Sequence, residues 1–94
     1  MPLEFEWDPR KAATNLTKHQ VSFEDAATVF SDPFGLIVPD PRHSSGEERF
    51  ALLGLSQDCR LLAVMYAERD PAIRIISARR ATRHERTIYE ETTR

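Results

Sequence analysis

The segment from Ile73 to Arg86 carries five arginines (Arg74, Arg79, Arg80, Arg83, Arg86) and His84 in fourteen residues. Guanidinium is always charged and forks onto phosphate oxygens, so this segment suits a phosphodiester ligand. A second set, Lys11, Asn15, Lys18 and His19, falls at i, i+4, i+7 and i+8, which places all four along one face of a helix. Together with Arg49 and Glu68, these residue types suffice for RNA cleavage without a metal. The 2′-hydroxyl of the RNA is the nucleophile. A base removes its proton, an acid protonates the leaving 5′-oxygen, and fixed cations stabilise the extra phosphoryl charge.

His19 and Glu68 are the candidate bases, with His84 a third. Arg49, Arg79 and Arg80 are candidate phosphate clamps. Lys11, Lys18, Arg74 and Arg83 are further candidate substrate contacts. Two bland readings stand beside this one: the helical stripe is a solvated face, and the arginines pair with Glu85, Glu90 and Glu91. Other chemistries lack their residues. There is no Gly-x-Ser-x-Gly, no glycine-rich phosphate loop and no paired-carboxylate signature. His19, His43 and His84 are scattered and Cys59 stands alone, so neither a metal site nor a cofactor is expected.

Charge is unevenly distributed. Residues 1–48 hold nine acids against four bases, a balance of −5, and residues 49–94 hold nine bases against six acids, +3. The whole chain is at −2 with a pI near 5.9. A general nucleic-acid coat would be strongly basic, so a confined basic contact on an acidic body is the better fit. Ninety-four residues make one domain, spanning 1–94, with one modest core. No apolar run is long enough to span a membrane and no secretory signal precedes the first strand. A lone cysteine fits a reducing cytoplasm.

The elements that must position these side chains follow from periodicity. Leu3 to Trp7 alternates apolar and acidic residues, a half-buried strand. Asp8 caps and Pro9 opens a helix to about Lys18, with a thin apolar face of Ala12, Ala13 and Leu16. Ser22 caps a second helix, whose Phe23, Ala26, Ala27 and Phe30 face the core until Asp32-Pro33 stops it. Gly35 to Val38 reads as a short strand, followed by a turn-rich loop containing His43. Strands follow at Arg49–Leu55, Leu61–Glu68 and Ile73–Arg80, joined by short turns, which implies an antiparallel meander. Strict alternation along the last strand puts Ile73, Ile75, Ser77 and Arg79 on one face and Arg74, Ile76, Ala78 and Arg80 on the other. Thr82-x-x-Glu85 is a capping box that opens a final helix to about Thr92, with Tyr89 a packing anchor. The order β-α-α-β-β-β-β-α is an α+β fold.

The chain resembles the BrnT family of bacterial type II toxins over nearly its whole length. The matching pieces are Phe5-Glu6-Trp7-Asp8, Lys11-x-x-x-Asn15-x-x-Lys18-His19, Val21-Ser22-Phe23-Glu24-x-Ala26 and Val29-Phe30-x-Asp32-Pro33. Glu48-Arg49-Phe50 with Gly54 follows, then Ile75-Ile76-Ser77-Ala78-Arg79-x-Ala81 with Glu85-Arg86 and Tyr89. Gln20 departs from the family, which usually has glycine after Lys-His. The resemblance implies a RelE-like fold: two N-terminal helices, an antiparallel meander and a C-terminal helix. It implies an endoribonuclease that arrests translation, and a cognate BrnA-like antitoxin that binds the toxin and represses the operon, so that this chain itself does not contact DNA. Carried over by position, Lys11, Asn15, Lys18 and His19 form the polar first-helix face, Arg49 opens a central strand and Arg79 closes the last one. A non-catalytic RNA- or protein-binding module on the same fold is the alternative.

Overall fold

A computed structural model describes residues 3–39 and 47–93; the centre of the long loop, with His43, lies outside them. The elements in chain order are β1 (Glu4–Glu6), α1 (Pro9–His19), α2 (Phe23–Thr28), a 3₁₀ turn (Val29–Ser31), β2 (Leu36–Pro39), β3 (Arg49–Leu55), β4 (Leu61–Arg69), β5 (Ala72–Arg80) and α3 (Arg83–Thr92). Local chemistry starts each helix. The Asp8 carboxylate accepts from the Arg10 N–H ahead of α1, and the Ser22 hydroxyl accepts from the Asp25 N–H at α2. At α3, Thr82 and Glu85 satisfy each other's backbone N–H groups in a full capping box.

The strands form one five-stranded sheet in the order β1-β5-β4-β3-β2. β2 to β5 make the expected antiparallel meander. The expectation of a wholly antiparallel sheet needs correction: β1 runs parallel to β5, with Glu4, Phe5 and Glu6 opposite Ala72, Ile73 and Arg74. The sheet is therefore mixed. Local patterning gives a strand its period but not its distant partner.

Helices α1 and α2 cover one face, over a core of Val21, Phe23, Ala26, Val29, Leu52, Leu62, Val64, Tyr66, Ile75 and Ala78. α3 covers part of the other, where Tyr89 packs with Leu53, Leu61, Ala63 and Met65. Two further expectations fail. Of the α1 face expected to be buried, only Ala12 packs against the core: Ala13 is exposed and Leu16 is 52% exposed, while Asn15 is only 6% exposed. Strict alternation on β5 also breaks. The register jumps from Met65–Ser77 to Tyr66–Ile75, which leaves Ile76 as an extra, bulged residue. Ile73, Ile75, Ala78 and Arg80 consequently share the α1/α2 face, and Arg74, Ser77 and Arg79 share the other.

Asn15 explains how α1 is seated. Its side-chain amide donates to the carbonyl of Ala78 at 2.8 Å and accepts from the Ala78 N–H at 3.1 Å. Its second N–H goes to the Val21 carbonyl at 2.9 Å. One side chain thus supplies the pair of bonds a neighbouring strand would have made to β5, and ties down the chain entering α2. Every group it buries is bonded, which is the condition for burying an amide at all.

Candidate functional site

Two basic surfaces adjoin β5. The first is a groove of about 290 Å³ between α1 and β5, lined by Arg10, Lys11, Thr14, Asn15, Lys18, His19, Ile76 and Ser77. Lys11 and Lys18 are exposed and His19 is half-buried. The helical spacing seen in the sequence does bring Lys11, Lys18 and His19 together, but Asn15 serves as the structural pin rather than as a free member of the stripe.

His19 is held at the very end of α1. The chain there turns through Gln20 in the left-handed conformation, at φ 60° and ψ 34°. Glycine adopts this shape freely and glutamine does not. The turn is secured from outside: the Arg60 guanidinium donates to the Gln20 carbonyl at 2.8 Å and to the Asp25 carboxylate at 3.0 Å. Gln20 therefore forms the same kind of cap that a glycine would, at some cost in backbone strain.

The second surface is the sheet face opposite α1 and α2, beyond the part that α3 covers. Pairing registers place Arg49 opposite Ala67, Arg74 opposite Ala67 on the other side, and Arg79 opposite Ala63, all on this face. Arg79 donates from Nη1 to Glu85 Oε1 at 2.7 Å and from Nη2 to Glu85 Oε2 at 3.0 Å. These two bonds pull the Glu85 carboxyl down to about 2 against the effect of its partial burial, helped by the Thr82 N–H. Glu85 in turn raises the Arg79 pKa further above its ordinary value. Arg74 bonds Glu6 at 3.0 Å, and Arg69 bonds Glu47 at 2.9 Å. Arg49 is half-buried and, among the described residues, has no carboxylate within 4.0 Å; its Nε is buried without a partner. An uncompensated guanidinium nitrogen in such a place favours an anionic ligand or neighbour.

Other candidates lie further out. Arg80, Arg83 and His84 are exposed. Glu68 is exposed near the β4–β5 turn, opposite Ile73, and its charge joins burial in raising the Tyr66 pKa. His19 sits at the opposite end of β5, near Arg60 and the start of β4. The structure therefore does not bring the two candidate bases together. Sequence reasoning missed Arg10, Thr14 and Ser77 as groove residues. Arg10, Thr14 and Lys18 recur at i, i+4 and i+8, a signal that was there to be used. Ser77 could not be found this way, because its placement depends on the bulge.

A larger hollow, about 460 Å³, is lined by Thr28, Ser31, Asp32, Leu55, Ser56 and Gln57. It holds an acid and no cation, and its Asp32 is already engaged by Tyr89, Leu55 and Phe34. No three potential metal donors cluster among the described residues, and no helix there is long and apolar enough to cross a membrane.

A mixed five-stranded sheet with three helices and two basic surfaces around its last strand defines a small α+β protein with a cationic site. The family model for the ribonuclease toxin BrnT of type II toxin–antitoxin systems matches residues 7–85, and this chain belongs to that family. Among solved structures, the 1.1 Å crystal structure of the Brucella abortus ribonuclease toxin BrnT superposes with a TM-score of 0.63 at 24% identity, covering 87% of this chain and 100% of that one. That likeness concerns the fold. No curated protein sequence matches the chain.

Proposed function

We propose that this chain is a RelE-like endoribonuclease toxin that cleaves RNA without a metal ion or other cofactor, thereby inhibits translation in the cytoplasm, and is neutralised by a cognate BrnA-like antitoxin. The observation that carries the reading is the groove whose lining His19 shares with Arg10, Lys11 and Lys18, at the strand that also bears Arg79. Membership of a ribonuclease toxin family supports it.

In this mechanism the 2′-hydroxyl attacks the adjacent phosphorus. His19 accepts the hydroxyl proton, the P–O bond to the 5′-oxygen breaks, and that oxygen takes up a proton from solvent water. Arg79 and Arg49 stabilise the negative charge that develops on the phosphoryl oxygens. Lys11, Lys18, Arg74, Arg80 and Arg83 hold flanking phosphates. Of the three bases suggested by sequence, His19 is preferred because it lies among cations, whereas Glu68 stands near the distant turn and His84 is exposed on α3.

The test is cleavage of RNA by the purified protein in excess chelator, with growth followed after induction without antitoxin. Wild type should give fragments ending in 2′,3′-cyclic phosphate and 5′-hydroxyl, and arrest growth. His19→Ala/Arg79→Ala should do neither while remaining folded. RNA binding without cleavage by the wild type would identify a non-catalytic binding module instead.

A further inference from the structure

Resting on that reading, we infer that the RNA passes from the α1 groove around the free edge of β5 onto the opposite sheet face, so that the site accepts only a single strand and holds it by its backbone. β1 pairs with β5 only at Ala72–Arg74. Beyond that point β5 has no strand neighbour on this side among the described residues, and the Asn15 amide takes the backbone N–H and carbonyl of Ala78. The groove lies along this stretch and includes Ser77 in its lining. Ser77, however, points to the opposite face, in register with Met65, together with Arg74 and Arg79. Along the strand Ser77 is roughly 7 Å from Arg79, and, with Ile76 bulged, roughly 7 Å from Arg74 as well. The two basic surfaces are therefore continuous, and they meet at Ser77 around one strand edge.

A ligand that touches both must bend sharply at that edge. A double helix resists bending over tens of nanometres, and a single strand does not. The groove contributes four basic side chains, Arg10, Lys11, Lys18 and His19, and the hydroxyls of Thr14 and Ser77, but, among the described residues, no Phe, Tyr or Trp. Trp7, which starts the link into α1, is packed edge-on against Phe23 with ring centroids 5.8 Å apart. With no large aromatic platform there, contacts go mainly to phosphates and sugars, which position a strand but do not read its sequence. Weak base preference follows.

The decisive measurement is fluorescence anisotropy with a short labelled RNA, fully 2′-O-methylated so that it cannot be cut, compared with the same strand annealed to its complement. The single strand should bind at least about tenfold more tightly at low salt, and strands of different sequence should bind alike within about threefold. Ser77→Glu and Thr14→Glu should each weaken single-strand binding by about fivefold or more through like-charge repulsion of phosphate. Thr14 is exposed on α1, so its variant keeps the test valid should Ser77→Glu fold poorly. Equal affinity for the duplex, or unchanged binding by a folded Thr14→Glu, overturns the inference. Unmodified RNA incubated with the same wild-type preparation separates the two levels: cleavage without single-strand preference sinks only the path, whereas neither cleavage nor binding sinks the ribonuclease reading and the path with it.

Discussion

Arg79 and Glu85 are joined by two bonds, Nη1 to Oε1 at 2.7 Å and Nη2 to Oε2 at 3.0 Å, which tie the end of β5 to the first turn of α3. The same carboxylate accepts from the Thr82 N–H at 2.9 Å, so the helix cap and the guanidinium are aimed by one residue. A capping box is ordinarily a local device for starting a helix. Here it also fixes the plane in which Arg79 presents its remaining donors.

Arg79→Ala should lower RNA cleavage by about a hundredfold, the scale set by deleting a charge-stabilising donor. The accompanying loss of stability should be modest, about 1 kcal/mol for a partly exposed ion pair. Arg79→Lys should recover stability better than activity, since lysine keeps the charge but not the planar fork. Cleavage rates set beside chemical denaturation check this. A variant that unfolds far more easily than this assigns Arg79 to structure rather than to phosphate.

Glu85 also predicts an acid limit. Its carboxyl titrates at about 2 in the folded protein, against 4.5 when unperturbed. A depressed folded pKa contributes stability at pH above the unfolded value, and that contribution disappears as pH falls from about 4.5 towards 2. Wild-type stability should fall through this window more steeply than that of Glu85→Gln, and the two curves should converge at its acid end. Denaturation midpoints measured across the window check this.

Asn15→Ala should cost at least about 3 kcal/mol, because it leaves the Ala78 N–H, the Ala78 carbonyl and the Val21 carbonyl without partners in a buried place. Asn15→Asp should not rescue the fold, since a carboxylate cannot donate to either carbonyl. Urea denaturation of the two variants measures both effects. If Asn15→Ala proves nearly as stable as wild type, α1 is held mainly by other contacts.

Gln20→Gly should stabilise the protein by about 0.5–1 kcal/mol, because the residue sits at φ 60° and glycine relieves the left-handed strain. Cleavage should be unchanged or slightly improved, since His19 stays in place. Arg60→Ala should act in the opposite direction by freeing both the Gln20 carbonyl and the buried Asp25 carboxylate. Melting curves of the two single variants and the double variant show whether the clamp and the strain are coupled.

Tyr89→Phe should loosen α3. The Tyr89 hydroxyl donates to Asp32 Oδ2 at 2.6 Å. Burial and this bond push the phenol up to about 12. For Asp32, burial acts to raise the pKa, but the donors Tyr89, Leu55 N–H and Phe34 N–H outweigh it and leave the carboxyl below its ordinary value. Loss of the hydroxyl should cost about 1–2 kcal/mol. Gly54→Ala should disturb the same carboxylate, because an added Cβ would stand 3.0 Å from Asp32 Oδ2 and 3.0 Å from Val29 Cγ1. Hydrogen exchange in α3 reports on both changes.

Much of this molecule was legible before folding was considered. Element types and order, the three helix caps, the meander from β2 to β5, and the grouping of Lys11, Lys18 and His19 all follow from periods, caps and turns within a few residues. Tertiary structure decided what depends on distant partners. β1 settled in parallel beside β5, a pairing that its own three residues do not encode. The bulge at Ile76 reversed which residues share a face with Arg79, because one extra residue shifts every later side chain to the other side. α1 buried Asn15 and left Leu16 in solvent, since the free backbone of Ala78 needed a hydrogen-bonding partner more than the core needed another leucine. Glu68 and His19, equivalent as bases in a list of residues, ended at opposite ends of β5. Which side chains could do chemistry was written in their types and local spacing; which of them meet was decided by the pairing and packing of segments far apart in the chain.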